Sequence, residues 1–111
     1  MASSLSFQAV LHLTATPQGG LRQPLGWRSI FLVDIGATFK GKPVFCDARI
    51  TLEDRDELPP GQSCTVLLEP LSEDLWQHVQ EGFSFTIHEG RPKRGHGVVI
   101  SRREMARGLL H

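Results

Sequence analysis

The chain has no long apolar run. None of its windows approaches 18 consecutive apolar residues, so the sequence predicts no membrane-spanning helix. The first ten residues, MASSLSFQAV, have neither a basic start nor an apolar stretch of signal-peptide length. There are only two cysteines, Cys46 and Cys64, and their spacing fits neither a metal pair nor a CxxC redox motif. We therefore expect a cytoplasmic protein whose two thiols are buried and unreactive.

The chain also lacks net charge. Twelve basic residues balance twelve acidic ones, so no overall field draws the protein to nucleic acid or to a membrane. The two signs are nevertheless segregated, with acidic residues concentrated in 47–81 and basic residues in 91–107. This segregation suggests an acidic surface and a basic surface, either of which could bind a partner.

Common catalytic and nucleotide-binding motifs are missing. There is no GxxxxGK[ST], no GxSxG and no HExxH, and the GxG at 95–97 does not precede a helix. His88, Glu89 and His96, around the last hairpin, are the nearest approach to a metal or catalytic cluster, but ordinary surface or barrel-end positions are the preferred interpretation. We expect no enzyme activity, no cofactor and no metal.

Alternation of apolar and polar residues dominates what is present. The odd residues from Leu5 to Leu13 are apolar, and 46–52, 64–69 and 83–87 alternate in the same way. Less regular strands are predicted at 27–35 and 95–101, with turns at PQGG (17–20) and LPPG (58–61). Six strands favour a closed antiparallel β-barrel, because closure removes exposed edges.

One segment departs from this pattern. Ser72 is typical of a helix N-cap, two acidic residues follow it, and Gly82 is typical of a helix end. The sequence therefore predicts one short helix near 72–80, with Leu75, Trp76 and Val79 facing the core. We expect a single barrel domain over 1–101 and a short basic tail over 102–111.

The last hairpin, GFSFTIHEGRPKRGHGVVI (82–100), carries the most distinctive pattern. Alternation assigns His96, Val98 and Ile100 to the inner face. The outer face would then carry Gly95, Gly97 and Val99, and its two glycines would form a smooth patch that another backbone could approach.

A basic tip lies beside this patch, formed by Arg91, Lys93 and Arg94. Glycines, backbone N–H groups and basic side chains together suit a phosphate backbone, which is bound without reading sequence. An alternative of equal weight is that the glycines only permit barrel curvature and that the basic tip is a solvated turn.

The same residues resemble a known family. GFSFTIHEG (82–90) and GHGVV (95–99) resemble the closing segment of the C-terminal barrel of translation elongation factor Tu, typically G-[LM]-R-F-A-I-R-E-G-G-R-T-V-G-A-G-V-V. The Pro60-Gly61 turn is similar to the family's M-P-G-D, and GWR (26–28) to its G-Y-R. The resemblance covers roughly 5–101 and implies a six-stranded antiparallel barrel.

In that family the barrel helps to hold the backbone of aminoacyl-tRNA. Carried over to matching positions, the resemblance implies contacts from Arg22, Gln23, Gly95 and Gly97. No GTPase motif is present in this sequence, so the resemblance implies a barrel and a candidate surface without GTP hydrolysis.

Two hypotheses follow. The first is a protein-interaction domain, such as an adaptor, inhibitor or immunity-type protein, whose acidic residues Asp54, Asp56 and Glu57 would meet a basic partner. The second is an RNA-binding or tRNA-backbone-binding module that uses the basic hairpin and binds with strong salt dependence. The charge balance favours the protein-binding hypothesis.

Overall fold

The computed structural model describes residues 3–106, and the side chains of 5–104. The described residues form ten strands: β1 Ser3–Leu13, β2 Leu25–Gly26, β3 Arg28–Asp34, β4 Thr38–Phe39, β5 Lys42–Pro43, β6 Cys46–Leu52, β7 Glu57–Leu58, β8 Ser63–Pro70, β9 Ser84–His88 and β10 Lys93–Ala106. Two short 3-10 helices cover Thr16–Gln18 and Glu73–Trp76. The fold class predicted from alternation, all-β, is confirmed.

Six of these strands close a barrel. Their order around it is β1-β10-β9-β3-β6-β8, and every neighbouring pair is antiparallel. The predicted closed six-stranded antiparallel barrel is therefore confirmed. The sequence did not predict the four two-residue strands, which pair as β2 with β7 and β4 with β5.

The core follows the predicted alternation along most strands. Every second residue of β1 from Leu5 to Leu13 is buried, and β6, β8 and β9 bury theirs in the same way. Removing apolar area from water stabilises the fold by about 25 cal/mol per Å². Cys46 and Cys64 are part of this core as free thiols, which confirms their predicted burial.

The predicted faces of β10 are wrong. Gly95, Gly97 and Val99 point into the barrel, whereas His96, Val98 and Ile100 are exposed. The cause is steric: a Cβ added at Gly97 would overlap the ring of Phe85 and lie 2.5 Å from the Val10 carbonyl oxygen. Gly97 leaves space for the Phe85 ring inside the barrel. The predicted glycine patch on the outer face of β10 is therefore wrong.

The predicted helix near 72–80 is only one 3-10 turn. Ser72 makes no side-chain capping bond, and the helical turn ends after Trp76. Trp76 is nevertheless buried and stacks on Phe7 at 5.7 Å between ring centroids. Arg102 of β10 stabilises the segment after this turn. Its Nη1 donates to the carbonyl oxygens of Gln77 and Val79, each at 2.8 Å.

Strand β10 continues beyond the expected domain boundary. Its residues up to Ala106 pair with β1 back to Ser3, so 102–106 belong to the long β1–β10 ladder. The rest of the expected tail, 107–111, lies outside the described residues. Within 3–106, no helix is long and apolar enough to cross a membrane.

Candidate functional site

An open groove lies between the loop after β1, strand β3 and the β9–β10 hairpin. It has a volume of about 670 Å³. The loop contributes Thr16 and residues 19–26, β3 contributes Ser29 and Phe31, and the hairpin contributes Glu89 and Arg94. Three residues that the sequence singled out, Arg22, Gln23 and Arg94, meet in this groove.

The loop wall is folded tightly upon itself. The Gly20 N–H donates to the Ala15 carbonyl at 3.1 Å, and the Thr16 hydroxyl donates to the Leu21 carbonyl at 2.6 Å. A Cβ at Gly20 would overlap the Thr14 carbonyl, so only glycine fits there. These contacts give the groove a pre-formed wall rather than a free loop.

Arg94 fastens this wall to the hairpin. Its Nη1 donates to the Gly19 carbonyl at 2.6 Å, and its Nη2 lies 3.0 Å from Glu89 Oε1. The Thr14 N–H also donates to the Arg94 carbonyl at 3.0 Å. The guanidinium is therefore committed to holding two segments together, which differs from the freely available basic group that the sequence suggested.

Strand β3 has one complete edge and one incomplete edge. Strand β6 pairs with Arg28–Val33, whereas β9 pairs only with 32–34 because it ends at His88. No other backbone partner is present for 28–31 on that side within the described part of the chain. The first half of β3 thus presents an unpaired edge beside the groove. Residues 3–6 of β1 and 101–106 of β10 likewise have no strand partner on their sides toward β8 and β9.

One hydrogen bond fixes which backbone groups face this edge. The Leu52 N–H donates to the Trp27 carbonyl at 2.9 Å, so Trp27 directs its polar group toward β6. Polar groups alternate between the two sides of an antiparallel strand. The N–H and C=O groups of Arg28 and Ile30 therefore point away from β6, toward the unpaired side.

Apolar side chains flank the unpaired edge. Trp27 is 53% exposed and Ile30 is 56% exposed, and Phe31 lines the groove. The guanidinium carbon of Arg28 lies 5.7 Å from the centroid of the Trp27 ring. Exposed aromatic and aliphatic groups beside unpaired backbone are typical of a binding surface.

Free positive charge is present on the segments that form the groove. Arg22, Arg28, Arg91 and Lys93 are exposed, and among the side chains of 5–104 none of the four forms an ion pair. Glu89 is the one acid in the lining, and Arg94 pairs with it. The lining of the groove therefore carries two basic residues, Arg22 and Arg94, against Glu89, although the chain as a whole is neutral.

The acidic candidates lie next to this groove. Asp54, Asp56 and Glu57 are exposed in the segment between β6 and β8, and Glu57 of β7 pairs with Gly26 of β2, a residue of the groove lining. A hydrogen bond from Arg55 at 3.0 Å holds the pKa of Asp54 below its ordinary value. Asp56 and Glu57 have no ion-pair partner among the described side chains.

The sequence cluster of His88, Glu89 and His96 is not assembled into one site. His88 donates from Nδ1 to the Arg91 carbonyl at 3.0 Å, accepts from the Thr86 hydroxyl at 2.8 Å, and stacks on Phe45. Glu89 is engaged by Arg94. Within 3–106, no group of three or more His, Cys, Asp or Glu side chains is arranged to hold a metal.

Two features of the surface could not be predicted from the sequence. The unpaired edge of β3 depends on where β9 stops, and no residue type marks that point. His12 and His96 form a close pair across β1 and β10, with ring centroids 5.2 Å apart. Alternation alone puts His12 on the outer face of β1, but the pair appears only once the register with β10 is known.

No protein-family model matches the chain, and no match is found among curated proteins. The likeness to the elongation factor Tu barrel therefore rests on the motifs in 82–99 and on the shorter turn motifs. The functional argument rests on the groove and its open strand edge.

Proposed function

We propose that the chain is a non-catalytic protein-binding module that receives an extended, acidic segment of a partner in the groove. The observation that carries this proposal is the unpaired backbone of Arg28 and Ile30 in the strand that lines the groove. A free strand edge is a ready template for another strand. Adding a peptide strand to such an edge is a common mode of recognition, in which main-chain hydrogen bonds provide affinity.

The side chains around the edge support a partner that combines apolar and acidic residues. Successive residues of an added strand point to opposite faces. One face would lie beside Arg28 and Ile30, and the other would lie beside Phe31 and the groove that Arg22 lines. Complementary charge of this kind contributes specificity and faster association.

RNA binding is the second candidate. Arg22 and Gln23 line the groove, Arg91 and Lys93 are exposed on the β9–β10 hairpin that forms one of its walls, and free cations suit a phosphate backbone. Two observations argue against RNA binding. Arg94 is committed to Gly19 and Glu89, and the glycines of β10 face inward, so the expected backbone cradle is missing.

The test is selection of a random-peptide library on the purified protein, followed by amide hydrogen exchange of the complex. We expect enriched peptides that contain both apolar and acidic residues, and slowed exchange of the Arg28 and Ile30 amides upon binding. Ile30→Pro removes the outward N–H without removing a barrel hydrogen bond, and proline is tolerated at strand edges. This variant should lose binding, whereas Ile30→Lys should keep most of it.

Two results would overturn the proposal. One is peptide binding that protects other amides and is unchanged in Ile30→Pro. The other is a tRNA acceptor-stem hairpin that binds more tightly than any peptide, with affinity that falls steeply between low and moderate salt. In that case replacing Arg22, Arg91 and Lys93 with glutamine should abolish binding, and the RNA hypothesis would take its place.

A further inference from the structure

The His12–His96 pair lies on the outer wall of the barrel and takes no part in the groove. His12 of β1 stands directly opposite His96 of β10 in the strand register, and their ring planes are inclined by 43°. His96 is exposed and His12 is partly exposed. Two of the five histidines of the chain are therefore adjacent and accessible to water, and neither belongs to the barrel core.

A third strand orients one of these rings. Ser63 of β8 stands opposite His12 on its other side, and the Ser63 Oγ lies 2.7 Å from His12 Nδ1. When Nδ1–H donates to that hydroxyl, the lone pair of the ring is on Nε2. Fixing the tautomer through the second nitrogen is the usual way in which a metal-binding histidine is oriented.

We propose that His12 and His96 form a bidentate site for a divalent transition-metal ion of the zinc, copper or nickel type. His12 would bind through Nε2 and His96 through one ring nitrogen, and water would complete the coordination. Imidazole is a preferred ligand of these ions.

The spacing of the rings fits this chemistry. With metal–nitrogen bonds of about 2.1 Å, each ring centroid lies roughly 3.2 Å from the ion, so two imidazoles at a tetrahedral angle have centroids roughly 5 Å apart. The observed separation is 5.2 Å. The separation of the two rings is therefore compatible with a shared ion.

The surroundings leave the site open. On one side along the ladder lies the exposed pair Val10 and Val98, which supplies an apolar border. On the other side is Arg94, whose guanidinium is directed to Gly19 and Glu89. Since only two protein ligands are present, the ion keeps positions that an incoming carboxylate or imidazole could occupy.

Titration with zinc chloride tests the proposal, followed by calorimetry and by the histidine ring signals in NMR spectra. We expect one ion per chain and shifts confined to the His12 and His96 rings. Losing either ligand turns a chelate into a single contact, so His12→Gln and His96→Gln should each weaken binding roughly 100-fold. Ser63→Ala should weaken it about tenfold by releasing the orientation of His12.

His78→Gln is the matched control, because His78 lies on another part of the barrel with Nε2 already 2.6 Å from the Ile35 carbonyl. It should bind zinc as the wild type does. All substituted residues lie at the surface, and an unchanged amide spectrum verifies the fold of each variant. Equal zinc affinity in wild type, His12→Gln and His96→Gln would overturn the proposal, as would loss of binding in His78→Gln alone.

Discussion

Gly97 of β10 and Phe85 of β9 stand directly opposite each other in the strand register, and both face the barrel interior. A side chain at 97 would occupy the space of the Phe85 ring. We expect Gly97→Ala to lower the free energy of unfolding by about 1–3 kcal/mol, because overpacking forces the ring or the strand to shift. Urea denaturation measures the effect.

Gly26→Ala provides the control for that substitution. The nearest atom to a Cβ at residue 26 is the Ser29 hydroxyl oxygen at 3.8 Å, an ordinary contact. Its effect should stay within about 0.5 kcal/mol. A stable Gly97→Ala protein that differs only in ligand binding would instead mean that residue 97 acts at the outer surface.

Arg94 should govern the order of the groove wall. Arg94→Gln removes the bond to the Gly19 carbonyl and the ion pair with Glu89. We expect faster amide exchange in residues 16–22 and a loss of about 1 kcal/mol of stability, the usual value for one net hydrogen bond. Arg91→Gln, which changes the same charge on the same hairpin, should leave both quantities unchanged. Similar behaviour of the two variants would contradict the role of Arg94 as a fastener.

The unpaired edge of β3 should be visible in the free protein. Hydrogen exchange should be fast for the Arg28 and Ile30 amides, which face no strand, and slow for those of Ser29 and Phe31, which face β6. This alternating pattern would distinguish an open edge from fraying of the whole strand, which would give uniformly fast exchange over 28–31. NMR-detected exchange resolves the four amides.

Stability should fall in alkaline solution because of the two core thiols. Burial raises the pKa of Cys46 and of Cys64 above the ordinary value of 9.0, with the carboxylate of Asp47 adding to the effect at Cys46. The folded state therefore holds these protons more tightly than the unfolded chain. Their stabilisation is fully present below the ordinary thiol pKa of 9.0 and is lost as pH rises through the higher folded pKa values.

The measurement is a series of urea unfolding curves from neutral to alkaline pH. Cys46→Ala/Cys64→Ala should flatten the alkaline decline, although the cavities that it leaves lower stability at every pH. An alkaline decline of the same slope in the double variant would assign the effect to other groups. Labelling of the native protein with a thiol reagent near pH 8 should be slow for the same reason, since the thiolate is the reactive form.

The sequence predicted most of the barrel because polar residues mark the outer face of its strands. In β6 and β9 one face is apolar and the other is polar or charged, and in β1 the outer face is polar except for Val10, so the buried face of each strand could be predicted. In β10 this contrast fails, since Val98, Val99 and Ile100 are all apolar and glycines occupy the alternating positions. Only the inward position of Phe85 decides which face of β10 is buried.

The site was predictable only in part. Arg22 and Gln23, singled out by the family resemblance, and Arg94, singled out by the basic hairpin tip, line one groove, but the binding edge of β3 depends on the length of β9. The turn after His88 sets that length, and Pro92 alone does not reveal how many residues of β3 remain uncovered. Long-range pairing, rather than local residue preference, creates both the open edge and the histidine pair.

The β1–β10 ladder has a consequence for biosynthesis. The first and last strands of the barrel are neighbours, so β1 has no β10 partner until residues 93–106 have been synthesised. Contacts between such distant residues close slowly. During this interval β8 is the strand that can pair with β1, and we expect the apolar inner face of β1 to be prone to aggregation.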